Sequence, residues 1–148
     1  MKSNNKLYAA YGSNLNLRQM SVRCPDAVPV GTAMLKDWQL TFRGVATLEP
    51  SEGAETPIGV WEITPQCEVS LDRYEGFPRL YRKAFVEVEL KGKTVKVMLY
   101  LMNDGMPCLP SKWYLDAIAQ GYEDVGLDTV HLTRALEHTS GLLGRRKK

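Results

Sequence analysis

The sequence predicts an α+β domain, a curled sheet with helices packed outside it, from three features. Five strand-like segments occupy much of residues 6–102, and two helix-like segments close the chain. The last two strand candidates also alternate apolar and polar residues about Lys91-Gly92-Lys93, the pattern of a hairpin. With 148 residues, one domain is expected over 1–148, with a core at 5–140 and a basic tail at 144–148. A chain of this length buries close to ~70% of its unfolded surface, so no disulfide or metal staple is required.

Taken in order, the first strand is expected over residues 6–11 and stops at Gly12-Ser13-Asn14, which is either a plain turn or a cradle of freed N–H groups. A helix over 15–22 follows, capped by Ser13 or Asn14. Strands come next at 33–42 (AMLKDWQLTF) and 58–63 (IGVWEI), and the turn-rich LEPSEGAETP at 48–57 reads as a long hairpin loop between them. The helix at 65–75 has Thr64 as N-cap, Pro65 where its missing donor costs nothing, and Gly76 as a left-handed stop; Pro78 forbids continuation. Strands at 80–90 and 94–102 form the hairpin. Ser111 caps a helix through about Gln120, and Asp128 caps another carrying Val130, Leu132, Ala135 and Leu136.

Composition narrows the function classes. Apolar residues make up 44% of the chain and charged residues 24%, ordinary for a globular domain. Arg145, Arg146, Lys147 and Lys148 supply four positive charges, and removing them from the formal +2 leaves the body at about −2. That body is no nucleic-acid surface, and the GRRKK end reads as a solvated, frayed terminus. MKSNNK lacks the apolar stretch of a secretory signal, and Val97–Met102 is far too short to span a bilayer. Cys24, Cys67 and Cys108 lie about forty residues apart with no C-x-x-C pair, so zinc is not expected and the odd count suits a reducing cytoplasm.

One carboxylate has an unusual position. At roughly 100° per residue, Cys67, Leu71 and Tyr74 share an apolar stripe of the 65–75 helix, Glu68 and Asp72 project away, and Glu75 falls between. Both the C-terminal helix dipole and partial burial raise its pKa. The same position also suits a solvated residue or an ion pair with Arg79 or Arg82. Four of the seven tyrosines, Tyr11, Tyr81, Tyr100 and Tyr114, lie in or near strand ends and loops, where tyrosine serves as core filler with a tethered hydroxyl or as a pocket wall.

In order along the chain, YAAYGSNLN, GVATLEP, IGVWEIT, LDRYEGFPRLY, VMLYLM and LPSKWYLDAIAQGYEDVGL resemble the gamma-glutamylcyclotransferase-like family, from about Leu7 to Leu136. The resemblance implies a small β-barrel-like sheet flanked by helices, with Glu75 as the catalytic acid. It further implies a substrate-holding loop of Tyr11, Gly12, Ser13, Asn14 and Leu15, and aromatic walls from Tyr81, Tyr100 and Tyr114. Tyr74 stands before the glutamate where some relatives carry glutamine. Family members cyclise a γ-glutamyl group to 5-oxoproline and expel the attached amine; for this chain a small-molecule γ-glutamyl substrate, no metal or cofactor, and a monomer or homodimer are expected.

Those residues suit that chemistry. A free α-amine with a pKa of roughly 8 is mostly ammonium near neutrality, so a base must take its proton before it attacks the γ-carbonyl. A glutamate lifted toward ~6 to 7 can do so and return the proton to the leaving amine. Amides at Gly12 to Leu15 would form a nest for the α-carboxylate or for the oxyanion. A cysteine nucleophile working with His131 or His138 has no recognisable signature, and Gly12 stands alone without G-x-G-x-x-G. The rival from another class is a binding module that holds a γ-glutamyl or amino-acid-like ligand without turnover.

Overall fold

A computed structural model describes residues 5–146. Its elements are β1 (Lys6–Ala10), a 3₁₀ turn (Ser13–Leu15), α1 (Leu17–Arg23), β2 (Val28–Phe42), β3 (Ala46–Ile63), α2 (Pro65–Glu75), β4 (Tyr81–Leu90), β5 (Lys93–Met102), α3 (Lys112–Val125) and α4 (Val130–Arg146). The five strands form one sheet in the order β2-β3-β1-β5-β4. Only β1 and β5 run parallel, meeting at Tyr8 opposite Met98; the other pairings are antiparallel. The sheet curls until β2 and β4 touch, so the α+β architecture with a barrel-like sheet and flanking helices is the one observed.

Position in the sheet explains the sequence pattern. Val97 to Leu101 of β5 and Tyr8 to Ala10 of β1 are continuously buried, as expected for adjoining inner strands covered on both faces. The β4–β5 turn is the expected hairpin: Leu90 pairs with Lys93, and both Lys91 (φ 52) and Gly92 (φ 81) adopt the positive φ that a two-residue turn of right-handed twist requires. Helix α2 spans the expected residues, with the Thr64 side chain accepting from Cys67 N (3.1 Å) and Gly76 left-handed at its end.

Four sequence expectations are corrected. Residues 48–57 are not a loop but part of β3, which pairs with β2 from Phe42↔Ala46 outward and turns at 43–45 instead. The surplus residues are absorbed by a register shift between Lys36 and Trp38, where Asp37 (φ 70) accepts from Gly53 N (3.0 Å). The helix expected over 15–22 is split: a 3₁₀ turn comes first, then α1 capped by Asn16, whose Oδ1 accepts from Gln19 N (3.0 Å), so neither Ser13 nor Asn14 is the cap. Helix α3 runs five residues past Gln120 to Val125. Residues 144–146 continue α4 rather than fray; Lys147 and Lys148 lie outside the described residues.

The extension of α3 has a packing reason. Gly121 faces the 3₁₀ turn so closely that a Cβ there would lie 2.7 Å from Asn16 N and from the carbonyl carbon of Leu15. Glycine sits mid-helix because the turn needs the room. Helix α4 packs on β2, where buried Thr139 donates to Ala135 O (2.9 Å) and accepts from Phe42 N (3.1 Å). Among the described residues, no helix is long and apolar enough to cross a membrane.

Candidate active site

The bend after β1, the end of α2, the starts of β3 and β4, the end of β5 and the first turn of α3 converge on a cavity of about 260 Å³. Among the described residues, Glu75 is the one carboxylate that lines it. Its carboxyl, at the last residue of α2, makes no ion pair or hydrogen bond with any described residue; Arg79 and Arg82 do not reach it, and Arg82 instead donates to Met102 O (3.0 Å). Burial pushes the Glu75 carboxyl up to about 7, against the nearby Arg23 charge, which pulls it down. A carboxylate balanced near neutrality and facing a hollow is equipped to take and give a proton.

The walls are aromatic, and their hydroxyls divide into two groups. Tyr11 donates to Tyr100 O, Tyr81 to Ala46 O (2.8 Å), and Tyr100 to Asp72 Oδ1 (2.7 Å), so these three O–H protons are already engaged. Tyr114 Oη accepts from Ala46 N (3.1 Å) and Tyr8 Oη from Asn14 Nδ2 (2.9 Å). Those two acceptors keep their own protons. Ala46 is thus gripped at both its N–H and its C=O, which fixes the first residue of β3 at the rim. Burial raises all five phenols, and each also faces the Glu75 charge, so all remain protonated at any working pH.

At the bend, Gly12, Ser13 and Asn14 line the cavity. Leu15 does not. Its side chain is fully buried, its N–H is taken by Gly12 O (3.0 Å), and it packs between Gly59 of β3 and Gly121 of α3. The Asn16 amide is likewise taken by Ser13 O (3.0 Å), whereas the amides of Gly12, Ser13 and Asn14 enter none of the loop hydrogen bonds. The cradle is therefore one residue shorter than the sequence suggests. Of the predicted residues, Glu75, Tyr11, Gly12, Ser13, Asn14, Tyr81, Tyr100 and Tyr114 all meet at the cavity.

Three side chains in or beside the cavity have no place in the sequence reading. Tyr8 lines the cavity from inside β1, where alternation with Ala10 reads as core. Counting around α2 puts Tyr74 on the apolar stripe with Cys67 and Leu71, yet it is 43% exposed. Its hydroxyl bonds Ser13 Oγ (2.9 Å), and its ring lies under the Arg23 guanidinium at 3.6 Å. Arg23 itself donates to Asn14 Oδ1 (2.6 Å) and Gln19 Oε1 (2.8 Å). Its spacing of four residues from Gln19, one helical turn, was the available signal.

Comparison with known proteins gives the family. A family model described as gamma-glutamyl cyclotransferase, AIG2-like, matches residues 8–120. The gamma-glutamylcyclotransferase of Mus musculus is 33% identical over 138 residues, spanning 82% of this chain and 72% of that protein, and that of Homo sapiens is 32% identical over the same shares. A solved gamma-glutamyl cyclotransferase structure superposes with a TM-score of 0.77 at 30% identity, covering 93% of this chain and 86% of its own. Glu75, the tyrosine walls and the Gly12–Asn14 bend thus belong to a protein similar along most of its length to enzymes of one kind. The chain belongs to the gamma-glutamyl cyclotransferase, AIG2-like family and is an enzyme of that type.

Proposed function

We propose that the protein cyclises a γ-glutamyl compound, releasing 5-oxoproline and the attached amine, with Glu75 moving the proton. The observation that carries this reading is a lone, unpaired carboxylate with its pKa near 7, set in a cavity whose other titratable walls are tyrosines that stay protonated. The substrate enters as an α-ammonium, and the Glu75 carboxylate takes one of its protons. The freed amine attacks the γ-carbonyl carbon, forming the ring C–N bond and a tetrahedral oxyanion. Collapse of that oxyanion breaks the bond to the leaving nitrogen, which receives the proton back from Glu75. The ring nitrogen, left with a surplus proton and a positive charge by the attack, sheds that proton to the departing amine, which leaves as an ammonium. Atoms and charge balance without a co-reactant.

Binding at the bend supplies the other half of the catalysis. An unrestrained γ-glutamyl chain places amine and carbonyl together only rarely, and holding it folded is worth several kcal/mol of barrier. The amides of Gly12, Ser13 and Asn14 are the groups assigned to grip the α-carboxylate, since the cavity lining holds no cationic side chain. Tyr8 and Tyr114, with protons to donate, face the polar head of the substrate.

The test is direct. Incubation with γ-glutamyl dipeptides, γ-glutamyl amines and glutathione is expected to release 5-oxoproline from at least one of them. Ligand binding without release would instead establish a non-catalytic binding module. Because the working form of Glu75 is the carboxylate, kcat/KM is expected to fall about tenfold per pH unit below pH 7. A rate independent of pH between 5 and 7 would contradict the assignment.

A further inference from the structure

We propose that Arg23 is a positioning residue of this site, locking the Asn14 carboxamide in one orientation and clamping the Tyr74 ring so that the bend and the acid-bearing end of α2 stay in register. The inference rests on the cyclotransferase reading above. Arg23 is the last residue of α1 and is not part of the cavity lining, so it acts through others.

The geometry follows from donor and acceptor types. A carboxamide presents one accepting and one donating end, and a guanidinium can only donate. With Arg23 Nη1 on Asn14 Oδ1 at 2.6 Å, the amide nitrogen must face away, and it donates to Tyr8 Oη at 2.9 Å. Tyr8 then accepts from Asn14 and keeps its own proton for another acceptor. Without the guanidinium the carboxamide is free to flip, and Tyr8 would donate to Asn14 instead. The second anchor is the stack at 3.6 Å over Tyr74, whose hydroxyl ties to Ser13 Oγ (2.9 Å) and whose neighbour in sequence is Glu75. One side chain thus braces both ends of the cavity. Lysine could supply the charge but neither the planar fork nor the stack.

Electrostatics adds a second consequence. The titratable groups facing Glu75 are Tyr8 and Tyr11 from β1 and the residue following it, Tyr81 from β4, Tyr100 from β5, Tyr114 from α3, and Arg23 from α1. Arg23 is the one cation among them, and it draws the carboxyl down from where burial alone would leave it.

Two variants separate these contributions: Arg23→Gln removes the charge, and Arg23→Lys keeps it. Each is assayed for kcat/KM against pH, and the Glu75 carboxyl is titrated by carbon NMR in the ligand-free protein. For Arg23→Gln, the acid limb and the NMR titration of Glu75 are both expected to move up by roughly one pH unit, with kcat lowered about tenfold or more. For Arg23→Lys, the limb is expected to stay near that of the parent, while kcat falls about tenfold because the fork and stack are lost. Folded variants with kcat, acid limb and Glu75 titration all unchanged would overturn the proposal. So would a lower kcat in Arg23→Gln with an unmoved limb and titration, since that is a merely structural effect. If no γ-glutamyl compound is turned over, the cyclotransferase reading fails, and the NMR titration still decides whether Arg23 governs Glu75. Should Arg23→Gln fail to fold, the KM-against-kcat split in Arg23→Lys decides: loss confined to KM overturns the proposal.

Discussion

Glu75→Gln is expected to lower kcat by about 10²- to 10⁴-fold while leaving the fold and ligand binding in place, because the amide keeps the shape of the carboxyl and removes the proton acceptor. The same substitution should stabilise the protein at alkaline pH. The folded state holds the Glu75 proton more tightly than the unfolded chain does, with the carboxyl raised from 4.5 to about 7. Below pH 4.5 both states are protonated and no penalty exists. Between 4.5 and 7 the penalty for ionising a buried group grows, and above 7 it is complete, at most roughly 3 kcal/mol. Thermal unfolding of Glu75→Gln against the parent is therefore expected to show a higher Tm at pH 8 and equal Tm near pH 4.5. Turnover close to that of the parent would remove Glu75 from the reaction; equal Tm at both pH values would show that its carboxyl is not strained by burial.

Gly121→Ala tests the scaffold behind the bend, where two effects oppose one another. Alanine is the better helix former by about 1 kcal/mol. Against this, its methyl would sit 2.7 Å from backbone atoms of Leu15 and Asn16, which cannot swing aside as a side-chain tip can. Such overpacking typically costs 1–3 kcal/mol, and a main-chain neighbour places it at the upper end, so the clash wins by about 2 kcal/mol. A loss of roughly 4–8 °C in Tm is expected for a domain of this size. Because the displaced turn carries Gly12–Asn14, kcat/KM should fall as well. An unchanged or higher Tm would mean that α3 and the turn are not in rigid contact.

How much of this was legible in the sequence depends on whether the determining force was local. The caps at Thr64, Ser111 and Asp128, the stop at Gly76 and the Lys91-Gly92 turn act within four residues, and each appears where the sequence places it. The path of residues 48–57 was not legible, because Pro50, Ser51 and Gly53 carry turn chemistry and only pairing with β2 makes the segment a strand. The continuation of α3 past Gln120 was not legible either, since the reason for glycine at 121 lies on another element. At the site, Glu75 could be placed at the margin of the core by counting around α2. Its freedom from Arg79 and Arg82, and the rotation of Tyr74 out toward Arg23 and Ser13, are tertiary facts with no counterpart in spacing.

With Tyr11, Tyr81 and Tyr100 each donating its hydroxyl proton to the protein itself, those walls have no proton left to offer a guest and meet it by bulk or as acceptors. Discrimination by shape alone against a methylene more or less is worth only about 1–3 kcal/mol. Selectivity by bulk on that side of the hollow should accordingly be lax: on the proposed reading, γ-glutamyl compounds whose departing amines differ by one methylene are expected to be turned over within about 100-fold of one another.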